Sequence, residues 1–253
     1  MKDYLISEYR ALIREVKALD FKVTFIFLSV AIITFLSIVF ASPNFYYEIV
    51  SRDKMYSRIY WFLADGMLMF AIPALIIKLI FKEKLSDYGF RLGDVKFGMI
   101  TSISFFAVML ITVWIVSGSQ KFAATYPQGG QKVSGSLIVF LLYELCVLVY
   151  MLGWEFFWRG YVLFGLKPKF GYYSIFIQMI PFFILHKGKP EIELFASIFA
   201  GLILGIQALR SNSFIYCWLL HWLVMLSIDG ISVLRLRGDN YEIGIEGLLK
   251  LFF

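Results

Sequence analysis

The run Leu137–Leu166, LIVFLLYELCVLVYMLGWEFFWRGYVLFGL, decides the fold. It holds no proline, and apolar residues cover every face of the helix it would form. At about 1.5 Å per residue it crosses a hydrocarbon core of roughly 30 Å with turns to spare. A helix apolar all round belongs in a core or a bilayer. Only Glu144, Glu155 and Arg159 interrupt this one with charge.

Comparable runs lie before it at Val23–Ala41, Ile59–Phe81 and Phe97–Val116, and after it at Tyr173–His186, Glu191–Leu209 and Phe214–Ile228. They predict an all-α, polytopic membrane helix bundle of about seven transmembrane helices, the fifth being the shortest. Of the 253 residues 60% are apolar and 17% charged, whereas soluble domains are about half apolar and about a quarter charged. That excludes an ordinary soluble enzyme, a disordered tail and a disulfide-stapled secreted module. The net charge of +6 falls in short loops between apolar runs. This is the pattern of a multi-pass protein facing anionic headgroups, so the bilayer is the expected partner and nucleic acid is not. Cys146 and Cys217 both sit within apolar runs and read as small buried hydrophobes.

Residues 1–22 read as an amphipathic helix on the membrane surface, with Leu5, Tyr9, Leu12, Ile13 and Val16 at helical spacing and Arg10, Arg14 and Lys17 between them. Residues 23–135 form an N-terminal transmembrane region, 136–229 a core and 230–253 a C-terminal tail. The stretch Gly118–Gly135 is rich in Gly, Ser and Gln and reads as a solvent-exposed loop. A slight excess of basic residues places the N-terminal side in the cytoplasm and the chain in the cell membrane.

Polar side chains within spans are costly and call for an explanation. They are Asp65, Glu144, Glu155, Arg159, His186 and His221, the last two being the only histidines of the chain. Glu155 and Arg159, four apart, share a helix face in the favoured order. Measured from the face carrying Lys167–Tyr172, Glu155 lies roughly 15 Å deep, His186 roughly 20 Å and His221 roughly 12 Å. Three groups from three helices at similar depth predict one intramembrane cavity. A carboxylate with two imidazoles supports two forms of hydrolysis. The carboxylate can act as general base toward water, with histidine assisting. Alternatively Glu155, His186 and His221 can hold a Zn²⁺ with an open position for water. The spacing does not choose between them.

Glu155-Phe156-Phe157-Trp158-Arg159-Gly160, then Phe182 through His186, then His221 in a final apolar helix, resemble the CPBP (CAAX protease and bacteriocin-processing, or Abi) family of intramembrane endopeptidases. The family signatures EExxxR, FxxxH and HxxxN occur in this order on successive membrane helices. The resemblance covers residues 137–229, the CPBP-like core, and the segment around Tyr88-Gly89-Phe90-Arg91 looks like the one that often precedes it. It implies an endopeptidase that cleaves membrane-associated peptides near the bilayer surface, or a protein of bacteriocin self-immunity. Glu155, Arg159, His186 and His221 would be the catalytic set, and Phe182, Glu144, Glu193 and Asp229 the candidate substrate-facing residues. Two departures stand out. Trp154 occupies the place of the first family glutamate, usually assigned as the base. Met225 replaces the asparagine four positions after the second histidine and has no hydrogen to donate.

Bland readings exist for several of these. Glu191 and Glu193 lie in the first turn after Pro190, where acids suit the helix dipole. Asp229 reads as the end of the last span or as a water-bridged neighbour of His221. Gly201 and Gly205 are spaced for close helix contact. Two other function classes remain open: a catalytically silent immunity or accessory subunit of a membrane complex, and a proton-relaying transporter. Against transport, there is no inverted repeat.

Overall fold

The computed structural model describes residues 1–252, with side chains through residue 249. Thirteen α-helical segments follow one another among the described residues: α1 Lys2–Ala18, α2 Phe21–Val39, α3 Pro43–Ile49, α4 Lys54–Leu75, α5 Val95–Val116, α6 Gln120–Thr125, α7 Gln131–Gly135, α8 Leu137–Glu155, α9 Leu163–Phe170, α10 Tyr173–Ile184, α11 Glu191–Ser211, α12 Ile215–Gly238 and α13 Ile245–Phe252. A π-helical turn, Ile76–Phe81, extends α4, and another, Phe156–Val162, fuses α8 to α9. Six helices are long and apolar enough to cross a membrane: Phe21–Val39, Lys54–Phe81, Val95–Val116, Leu137–Phe170, Glu191–Ser211 and Ile215–Gly238. The protein is a multi-pass membrane helix bundle.

The expected fifth span is a correction. α10 has only 12 residues, about 18 Å of helix, too little to cross. His186 sits in the turn after it. The last span also runs further than expected. Apolar Ile231, Val233 and Leu234 continue the helix past Asp229 to Gly238, so Asp229 lies inside α12 rather than at its end.

Side chains cap the membrane helices where the sequence supplies acids and serines. Asp20, Asp53, Asp94 and Ser136 each accept a backbone N–H of the first turn of α2, α4, α5 and α8. α4 and α8 then meet backbone to backbone. A Cβ on Gly153 would lie 2.0 Å from the Gly66 carbonyl oxygen. Only glycine permits that approach. α11 packs on α10 through Gly201 and Gly205, and Gln178 Nε2 donates to the Gly201 carbonyl at 2.7 Å. α12 is tied to α8 by indole N–H donors, Trp218 to Leu148 O and Trp222 to Glu144 O. Buried Arg235 holds the far end of α12 to α5 through Ser117 Oγ at 2.7 Å and Trp114 O at 3.1 Å. α1 buries none of its residues against the bundle.

Residues 118–135 are not the exposed loop their composition suggested. They fold as α6 and α7, with Phe122, Tyr126, Gln128 and Val133 buried. Three of these are large and apolar or aromatic. Dispersed among Gly, Ser and Gln, they nevertheless anchor the segment over the bundle as a cap.

Candidate functional site

α8 places Glu155 at its last α-helical turn, directly before the π-helical turn that carries Arg159. Such widened turns frequently mark functional sites. Both side chains are wholly excluded from solvent, and Arg159 Nη1 donates to Glu155 Oε1 at 3.1 Å. From α12, His221 Nδ1 meets the same Oε1 at 2.6 Å. A carboxylate oxygen that already accepts from a guanidinium accepts here too, so the imidazole donates and Nδ1 bears the hydrogen. Its Nε2 is left as an acceptor on a side chain that keeps 16% exposure, against none for Glu155. The opening to the site is therefore on the histidine side.

His186 reaches the same place from the turn after α10. Its Nδ1 lies 2.7 Å from the Phe182 carbonyl, which only accepts, so this ring also turns a free Nε2 outward. Phe182 stands between the parts of the site. Its ring centroid is 4.6 Å from that of His186 and 6.3 Å from that of His221, and the Arg159 guanidinium lies 4.0 Å over its face. Trp154 closes the wall with its ring 5.8 Å from Phe182 and 6.2 Å from His186. Several buried polar atoms have no partner in the protein: Glu155 Oε2, Arg159 Nε and Nη2, and the indole nitrogens of Trp154 and Trp158. Buried groups of this kind take up ordered water or ligand.

Zinc is one of the two alternatives left open for these residues. Among the described residues no three His, Cys, Asp or Glu stand so as to hold a metal ion. The reason is geometric. Glu155 engages the Nδ1 side of His221, and the free Nε2 points away from that edge of the ring. Carboxylate and free imidazole nitrogen therefore face opposite directions, and the residues present do not fit a Zn²⁺ held by Glu155, His186 and His221.

The four candidate substrate-facing residues go to different places. Phe182 is buried at the centre of the site. Glu144 on α8 and Asp229 on α12 face one another, away from the Glu155–His221 contact, within electrostatic reach of each other. Glu193 on α11 pins the cap: Tyr126 OH donates to its Oε2 at 2.7 Å, and Lys189 Nζ donates to the Tyr126 oxygen at 2.8 Å. Burial, reinforced by the Glu193 carboxylate, pushes the Tyr126 phenol well above its ordinary pKa, so it stays a donor. Glu191 instead pairs with Lys121 of the cap. Sequence reasoning missed Tyr126 and Lys189. For Tyr126 the signal available was an aromatic within a polar stretch, which marks an anchor. Asp65, which lacked an evident partner in the sequence, accepts from Trp61 Nε1 at 3.3 Å on its own helix.

Residues 133–227 match the family described as Type II CAAX prenyl endopeptidase Rce1-like. The resemblance to the CAAX protease family is thereby borne out over this stretch, which runs from the cap to the middle of α12. No curated protein and no solved structure matches the chain.

Proposed function

We propose that the chain is an intramembrane endopeptidase of CAAX type that hydrolyses prenylated or otherwise membrane-associated peptides. The family match supplies the reaction class, and the 2.6 Å contact between Glu155 Oε1 and His221 Nδ1 carries the assignment of roles.

In this reading His221 is the general base. Its Nε2 takes a proton from a water, and that water attacks the scissile carbonyl. Glu155 holds the ring in the tautomer that leaves Nε2 free and stabilises the imidazolium as it forms, which a buried carboxylate does well. Arg159 neutralises Glu155 on the same oxygen, so the pair survives burial. His186, oriented by the Phe182 carbonyl, presents a second Nε2 that accepts a hydrogen bond from the water and holds it in place, and the His221 imidazolium then gives its Nε2 proton to the departing amine, which returns the ring to neutral. The role assigned to Glu155 differs from a direct base: it positions and His221 reacts. Phe182 and Trp154 keep the site dry around the reacting atoms.

A second reading has one specific observation in its favour. Trp154 fills the place where the family resemblance calls for a glutamate, and Met225 the place of its asparagine. A chain so altered binds the peptide without cutting it and serves a membrane complex as a silent subunit.

The test is cleavage of a farnesylated CAAX peptide by the purified protein reconstituted in liposomes. Wild type should cleave, and His221→Ala and Glu155→Gln should each lose about 10³-fold or more of the turnover, as expected when a base or its orienting carboxylate is removed. Turnover unchanged in both variants overturns the assignment of roles. Binding of the peptide by a wild type that never cleaves it supports the silent reading instead.

A further inference from the structure

We propose that Tyr126 of the cap is a positioning residue for His186: through Lys189 it fixes the turn that carries the imidazole, so the seated cap sets where the second Nε2 points. The proposal rests on the peptidase reading above for the role of His186 in holding the water.

The turn has little of its own to orient it. α10 ends at Ile184 and α11 begins at Glu191. Between them His186 is half-buried, and Lys187 and Gly188 are exposed. The backbone folds back as Lys189 N donates to the His186 carbonyl at 3.1 Å. Gly188, third of the four residues, has a φ of +94°, the left-handed conformation that this place in a type II turn requires. A Cβ there would meet nothing within 4 Å, so the middle of the turn packs against no part of the bundle. One internal hydrogen bond defines the shape of such a turn and leaves its orientation open. Buried Pro190 seats the exit, and the side chain of Lys189 does the rest.

Lys189 Nζ donates to the Tyr126 oxygen at 2.8 Å, and the Tyr126 hydroxyl donates to Glu193 Oε2 at 2.7 Å. Lys189 and Glu193 face each other across this hydroxyl at 3.5 Å. An unbroken series of hydrogen bonds thus runs from the cap through Lys189 to the backbone carbonyl of His186. Phe182 acts from the other side, where its carbonyl meets Nδ1 at 2.7 Å. Phe182 fixes the rotation of the ring, and Tyr126 fixes the backbone from which the ring springs. Packing alone does not call for the hydroxyl. The Tyr126 ring is 2% exposed and lies 4.9 Å from that of Phe122, a place that phenylalanine would fill equally well. Without the hydroxyl, Lys189 and Glu193 are left to close on each other, and the turn moves with them. A displacement of about 1 Å remote from the chemistry can cost about a hundredfold in rate.

The experiment reads the histidines directly. His186 and His221 are the only two in the chain. Protein carrying isotope-labelled histidine, purified in detergent through a histidine-free tag, therefore gives two sets of imidazole NMR signals, assigned with His186→Ala and His221→Ala. Tyr126→Phe and Lys189→Met should each shift or broaden the His186 signals and leave those of His221 in place. Lys121→Met, which breaks only the outer pair of the cap with Glu191, should disturb neither. His186 signals indifferent to both Tyr126→Phe and Lys189→Met overturn the proposal. Equal movement of both histidines also overturns it, being the mark of a bundle loosened as a whole.

Cleavage of the farnesylated CAAX peptide gives a second readout. In Tyr126→Phe, kcat and kcat/KM should fall together by about a hundredfold. In a His186→Ala background the same substitution should cost nothing further, since it acts through that residue. A rise in KM at unchanged kcat, or a loss undiminished in the His186→Ala background, overturns the positioning role. A wild type that cleaves nothing removes the peptidase reading alone; the imidazole signals then decide whether Tyr126 sets His186.

Discussion

Glu155 and His221 are 66 positions apart in the chain and 2.6 Å apart in the bundle, and the oxygen that joins them also receives Arg159 at 3.1 Å. Three helical segments therefore converge on a single carboxylate oxygen whose side chain is shut off from bulk solvent. The geometry makes Glu155 a hinge between a structural ion pair and a reactive imidazole, and the two duties separate on mutation.

Glu155→Ala should be far more damaging to the fold than Glu155→Gln. Alanine strands the Arg159 guanidinium, which is fully enclosed, and breaking one side of a buried pair costs about 3–5 kcal/mol. Glutamine keeps an acceptor for Arg159 and should cost about 1–3 kcal/mol, the range for a weakened buried hydrogen bond. Thermal unfolding of the two variants in detergent checks the order. Equal midpoints would show that Arg159 finds its main support elsewhere.

The α4–α8 contact gives a second comparison, between glycines. A Cβ at Gly153 meets the Gly66 carbonyl oxygen at 2.0 Å, a backbone atom that has no room to retreat, whereas a Cβ at Gly201 meets Met179 Cγ at 2.8 Å, part of a flexible side chain. Gly153→Ala should therefore cost at least the roughly 1–3 kcal/mol typical of overpacking, and Gly201→Ala should fall at or below its lower end. Midpoints of thermal unfolding, measured side by side, test this. Because Glu155 lies two residues beyond Gly153, the first variant should also lose activity through displacement of the acid.

These features differ in how far they could be read from sequence. The membrane helices were legible because a bilayer leaves a one-dimensional signature, a run of apolar residues of sufficient length. The run Leu137–Leu166 needed no other context. The convergence of Glu155, His186 and His221 was legible at the level of depth, since helical rise converts residue number into position along the membrane normal. Rotation about the helix axis was not. That is why the sequence reading left a general-base arrangement and a metal set equally open, while the structure turns Glu155 to one nitrogen of His221 and sets Phe182 beside both imidazoles. The cap failed for another reason. Its burial depends on where Phe122, Tyr126 and Val133 land in three dimensions, and a segment dominated by Gly, Ser and Gln carries no periodicity to announce it. Asp229 was taken for a terminus because an acid after an apolar run normally is one. Its true surroundings are supplied by Glu144 on another helix.

The cap should respond to acid. Asp53 lies outside the membrane, where it pairs with Lys132 of α7 and accepts the backbone N–H groups of Tyr56 and Met55. The Lys132 hydrogen bond first, then the backbone donor of Tyr56, hold its carboxyl below the ordinary value of 3.8. A folded-state pKa below the unfolded one stabilises the attached state above about pH 4, and the contribution is lost as pH falls through the lowered value. Amide hydrogen exchange across residues 118–135 should accordingly be flat from neutral pH to about 4, once corrected for intrinsic rates, and rise below it. Asp53→Asn should show the raised exchange already at neutral pH. If protection is indifferent to both, the ion pair contributes nothing to holding the cap.

Trp154 offers the most direct test of why this site departs from its relatives by resemblance. The indole packs on Phe182 and His186 and leaves its nitrogen without a partner, so it acts as a wall and not as a donor. A glutamate there would extend toward the open Nε2 of His186 and could hold the attacking water on a second side. Trp154→Glu should therefore raise turnover of the farnesylated CAAX peptide by about a hundredfold, the lower end of the range for an added general base. It should at the same time lower the unfolding midpoint, because removing a buried tryptophan costs about 3–5 kcal/mol. Trp154→Phe keeps the wall and should change neither by much. Steady-state cleavage in liposomes together with thermal unfolding in detergent separates the outcomes. Turnover that falls in Trp154→Glu, in protein still folded, would mean that a dry wall beside His186 is itself required, and that the chemistry runs through Glu155 and His221 without a second acid.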